Sequence, residues 1–150
     1  MFDMLTGSTW KGTLTYRNYS DGQWVTIPCN VRIAAEDKPE TLPRYTWSTS
    51  YTDEPHADGA TIVRLDQAAR TIVMGDVTER IVAMASTPET SGSLTHVIVT
   101  EFAGEDDARP ATIRKVYTMG AKVLSVQKLV RWDGSSRDFI ERHVYRWHRE

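Results

Sequence analysis

Turn residues recur in this chain at short, even intervals, and between them apolar and polar residues alternate one for one. No other feature constrains the fold as strongly. Candidate turns fall at Asp21-Gly22, Asp58-Gly59, Gln67-Ala68-Ala69-Arg70, Ser91-Gly92, Gly104 to Asp107, Met119-Gly120 and Asp133-Gly134. Val25, Ile27, Cys29, Val31 and Ile33 alternate with Trp24, Thr26, Pro28, Asn30 and Arg32. Leu124, Val126 and Val130 alternate with Ser125, Gln127 and Arg131, and Lys128 is the exception on the apolar face. A period of two places successive side chains on opposite faces, so each segment reads as a strand with one face toward a core.

The predicted strands are 9–18, 23–35, 44–53, 61–66, 71–76, 79–86, 94–103, 111–118, 122–132 and 138–148. Asp3 to Leu5 read as one short helical turn, and 36–43, with two prolines, as loop. Pro28 has no N–H to donate, which predicts a bulge or an open edge there. Valine, isoleucine, threonine and aromatic residues far outnumber leucine, and such side chains suit a pleated, half-buried surface. The fold class expected is all-β. Sequential strands joined by tight turns form an up-and-down antiparallel meander, and closure of about 8–10 strands into a barrel removes the edges that invite aggregation. A β-sandwich is the alternative, although its crossovers need longer connections. Residues 1–150 read as a single domain.

Other classes are set aside by composition. A formal charge of −2 argues against a nucleic-acid binder. The lone Cys29 excludes an intrachain disulfide framework and is expected to be inert packing. No apolar run reaches the length of a membrane helix, and the opening residues carry no secretory pattern, so a cytoplasmic location is expected, with no membrane insertion. The Gly104–Pro110 loop lacks calcium-loop spacing, and no nucleophile elbow, phosphate loop or zinc helix occurs. Neither a metal nor a cofactor is assigned.

The opening Leu5-Thr6-Gly7-Ser8-Thr9-Trp10-Lys11-Gly12 resembles the start of calycin-type barrels: lipocalins, fatty-acid-binding proteins and their bacterial relatives. The resemblance implies a lipocalin-like barrel in which Trp10 plugs one end. It also implies an arginine of the last strand packed across that indole, with Arg142 and Arg146 as candidates in Phe139 to Trp147. A small bacterial lipocalin-like protein is the closest description. The nitrobindins, a neighbouring family, hold haem in a similar barrel through a histidine near the C-terminus, where this chain has His143 and His148.

Candidate ligand contacts follow from the alternation. Tyr45, Trp47 and Tyr51 share one face of the third strand; facing inward they form an aromatic wall, facing outward a dimer surface or plain exterior. Trp10 is a structural plug or a direct contact, and Tyr16 and Tyr117 are further aromatic candidates. Glu101, Arg114 and Arg142 each share a strand face with apolar neighbours. They are either a solvated outer face or an interior carboxylate–guanidinium arrangement that could hold a ligand carboxylate. His96 and His143 alternate with apolar residues, the second with Phe139, Tyr145 and Trp147. The loop Gly104 to Pro110 reads as a solvated turn or a mouth loop. Asp53, Glu54 and His56 read as incidental loop polarity.

Three functions remain open at this level. The first is binding of a small, largely apolar or amphipathic molecule, such as a lipophilic carboxylate, in the barrel interior. The second is a cofactor-independent isomerase, cyclase or lyase with Glu101 or His96 as base and Tyr45, Tyr51 or Tyr117 as donor. The third is a solidly packed interaction module. A homodimer is a further expectation.

Overall fold

The computed structural model describes residues 1–36, 42–135 and 137–150. A 3-10 turn, Phe2–Leu5, leads into ten strands: β1 Thr9–Arg17, β2 Trp24–Ala35, β3 Arg44–Ser50, β4 Gly59–Asp66, β5 Thr71–Met74, β6 Val77–Pro88, β7 Leu94–Asp106, β8 Arg109–Met119, β9 Val123–Trp132 and β10 Ile140–Arg149. Each strand pairs antiparallel with its neighbours in sequence, and β10 closes on β1. The result is an up-and-down, closed ten-strand barrel of the calycin type. No helix among the described residues is long and apolar enough to cross a membrane. Most of the predicted loop 36–43 lies outside the described residues.

The alternation read from sequence sorts the side chains. Cys29, Val31 and Ile33 of β2 are buried between exposed Pro28, Arg32 and Ala34. Pro28 pairs with Thr13 of β1 on one side, while β3 reaches only as far as Asn30, so the missing N–H belongs to an open edge. Closure is tightest at Gly12, where an added Cβ would lie 1.8 Å from the Arg146 carbonyl oxygen, so only glycine permits this approach of β1 to β10.

Trp10 seals one end. It is fully buried, and its indole N–H donates to the Leu5 carbonyl at 2.8 Å. Phe2 packs edge-on to Tyr45 and Trp47 beneath it. The cation over the indole is Arg149, 4.5 Å from the ring, rather than Arg142 or Arg146. Arg146 faces out, partnered in register with Thr13, and Arg142 lies near the opposite end of β10.

Two local departures move residues from where simple alternation put them. The predicted loop Gly104–Pro110 shrinks to the two-residue turn Asp107-Ala108, both at positive φ, the backbone of a tight hairpin. β7 therefore runs on to Asp106 and carries that carboxylate into the structure, where it is buried. The second departure is a β-bulge between Glu141 and His143, which reverses face parity along β10. Beyond it Phe139 lies on the exterior under the guanidinium groups of Arg114 and Arg131, not on the face of His143.

Candidate functional site

The barrel is not filled. A cavity of about 360 Å³ is lined by Trp47 and Thr49 of β3, Thr61 of β4, Met74 of β5, Phe102 and Glu105 of β7, Ile113 and Lys115 of β8, Val126 and Lys128 of β9, and His143, Tyr145 and Trp147 of β10. That volume falls within the range of small-molecule sites, roughly 300–1,000 Å³.

The cavity has two kinds of wall. Tyr145 and Trp147 stack at 4.8 Å, and His143 meets Tyr145 edge-on, giving an aromatic ladder at alternate positions of β10. Across adjacent strands runs a polar belt: Thr100, Lys115, Lys128, His143 and Tyr16 are successive register partners on β7, β8, β9, β10 and β1. Lys115 and Lys128 are thus direct neighbours of like charge, an arrangement that costs energy unless other groups compensate.

Buried carboxylates compensate each lysine. Glu79 of β6 is fully buried and accepts from Thr100 Oγ1 at 2.8 Å, Tyr117 OH at 2.7 Å and Lys115 Nζ at 2.8 Å. Burial and the Glu79 charge hold the Tyr117 phenol well above its ordinary range. Asp106 lies 3.5 Å from Lys128 Nζ and 3.3 Å from Arg142 Nε, charge contacts more than directed hydrogen bonds. Tyr19, in the β1–β2 turn, donates to Asp106 Oδ1 and lies beneath the Arg142 guanidinium at 3.7 Å. Its phenol is pushed up to about 12, first by burial and then by Asp106. The ion-paired cluster holds three cations and two buried carboxylates, and exposed Glu105 is a further carboxylate on the cavity lining. His143 adds no charge at neutral pH, because burial, Lys128 and Lys115 push its imidazole down to about 4.

The predicted site residues divide into groups. Tyr45, Trp47 and Tyr51 all face inward and are buried, but only Trp47 lines the cavity. Tyr45 donates to Asp3 at 2.6 Å near the sealed end, and Tyr51 shares a 3.0 Å hydrogen bond with Tyr145. His143 lines the cavity, Tyr117 supports it through Glu79, and Trp10 is the plug. Tyr16 and Arg142 line an adjoining cleft with Lys128 and His143. Glu101 and Arg114, by contrast, are cross-strand partners on the outer face, with Arg114 Nη2 3.0 Å from Glu101 Oε2. Inward Thr100 fixes their orientation, since neighbours along a strand point oppositely. His96 is hydrogen-bonded to Ser86 at 2.7 Å near the sealed end and does not line the cavity. His148 is on the exterior.

Lys115, Lys128, Glu79, Asp106, Tyr145 and Trp147 were missed as site residues. Their signal was present in the alternation: Lys115 between Ile113 and Tyr117, Glu79 beside Ile81, and Lys128 as the noted exception. No family model matches the chain, and no curated protein matches it in sequence.

Proposed function

We propose that residues 1–150 form one lipocalin-like domain that binds a small, largely apolar molecule bearing an acidic group. The acid lies against Lys115 and Lys128, and the apolar body lies among Trp47, Phe102, Tyr145 and Trp147. The observation that carries this reading is the pairing of two ammonium groups, register partners on β8 and β9, in a cavity with a largely aromatic and aliphatic wall. Two like charges side by side in the cavity wall support an anion, because adjacent ammonium groups repel unless compensated. The sequence placed the carboxylate partner at Arg114 or Arg142. Arg114 is outside and Arg142 lies in the adjoining cleft, whereas both lysines line the cavity itself, so the lysines take that part.

A haem is the weaker reading. His143 keeps an Nδ1 without a partner among the described residues. However, two ammonium groups flank it, and a 360 Å³ cavity accommodates a tetrapyrrole poorly. The enzyme reading has lost its proposed bases from the cavity wall, since Glu101 and His96 both lie elsewhere.

Native mass spectrometry of the protein as isolated, beside a solvent-extracted sample and an absorption spectrum, tests the proposal. A stoichiometric extractable adduct carrying an acidic group is expected in the wild type and reduced in Lys115→Met and Lys128→Met. An adduct without an acidic group, or a Soret band, would contradict it.

A further inference from the structure

The barrel is closed, yet several strands lack a partner on one side over part of their length, and the stretch on β6 is the longest. β5 pairs with β6 only from Thr71↔Arg80 to Met74↔Val77, and the Ile81 N–H still reaches the Arg70 carbonyl. From Val82 to Pro88, β6 has β7 on one side and no strand on the other among the described residues. The Glu89 N–H donates to the Ser93 carbonyl, which fixes the phase of the ladder. Thr87, Ala85 and Ala83 therefore bond toward β7, while the N–H and C=O of Met84 and Ser86 point to the open side. Pro88, with no N–H, falls in the same outward phase.

Open edges are usually blunted by charge or proline. The unpaired stretch of β2 before Asn30 carries Pro28, and that of β7 beyond Glu101 carries Glu105 and Asp106. Residues 82–87 carry neither. Instead Val82, Met84 and Leu94 stand exposed along this edge and its hairpin partner. Charges appear only at the ends: Arg80, exposed, at the start, and half-buried Glu89 at the finish. The Glu89 carboxylate accepts from the neutral hydroxyls of Thr95 and Ser91, which leaves its charge uncompensated.

We propose that this edge pairs with the same edge of a second copy, antiparallel about a two-fold axis at Ala85. Met84 then faces Ser86 of the other copy on both sides of the axis, giving four backbone hydrogen bonds and joining the two barrels through one continuous sheet. The bulge between Ile81 and Ala83 shifts the register by one residue beyond it. Arg80 thereby comes alongside Glu89 of the second copy, twice by symmetry. An isologous contact needs a self-complementary strand, and basic start, neutral middle and acidic end make one.

Analytical ultracentrifugation of the full chain tests this. A species of twice the 17.0 kDa chain mass is expected. Ser86→Pro removes an outward N–H that β7 does not use, so it should yield a folded monomer with an unchanged strand signal in circular dichroism. Arg80→Glu turns two attractive contacts repulsive and should weaken the dimer about tenfold, and Arg80→Glu combined with Glu89→Arg should restore it. A monomeric wild type, or a dimer indifferent to both Ser86→Pro and the charge reversal, would overturn the proposal.

Discussion

A buried ion pair gains little over an apolar pair of the same volume, but removing one partner leaves an uncompensated charge. Glu79 is the sharpest case, since all three of its hydrogen-bond donors serve one fully buried carboxylate. Glu79→Leu should destabilise the fold by about 3–5 kcal/mol in denaturant unfolding, and adding Lys115→Met should recover most of that loss. His143 makes a separate prediction with a definite sign. Its folded value of about 4 lies below its ordinary 6.5, so the unfolded chain binds the extra proton first as pH falls. Stability attributable to His143 is full above about pH 6.5 and is lost progressively down to about pH 4, on the order of 3 kcal/mol in all. Unfolding curves of wild type and His143→Phe between pH 7 and pH 4 should show a steeper loss in the wild type. Equal slopes would contradict the buried neutral imidazole.

Strand alternation in the sequence located most of the interior, as the buried series Cys29, Val31 and Ile33 shows. Irregular strand geometry was not legible there. A bulge is one inserted residue with no composition of its own, yet the one near Arg142 separates Phe139 from the face of His143. The two-residue turn at Asp107-Ala108 was hidden for a related reason. An alanine at positive φ is costly and signals nothing in sequence, so Asp106 read as a solvated loop acid rather than the partner of Lys128 and Arg142. For Glu101 and Arg114 the pattern was ambiguous, because valines share their outer face. At Gly12 the element-scale account is strict. Gly12→Ala would push a methyl group into the Arg146 carbonyl and should cost about 3 kcal/mol or more, read as a lowered thermal midpoint.

At the scale of the whole molecule, the barrel is asymmetric along its axis. One end is plugged by Trp10, Phe2, Leu5 and Arg149, and the middle holds a cavity with an aromatic wall and a basic wall. Toward the other end Tyr19, Asp106 and Arg142 tie the β1–β2 turn to β7 and β10. This arrangement should discriminate ligands by charge as well as by size. The most direct measurement is a pair of calorimetric titrations, 2-naphthoate against its neutral carboxamide, into wild type and into Lys115→Met with Lys128→Met. The account predicts saturable one-to-one binding of the carboxylate by the wild type, weaker by about tenfold to a hundredfold for the carboxamide and for the double variant. Equal affinity for the two probes, or carboxylate binding that survives loss of both lysines, would contradict it.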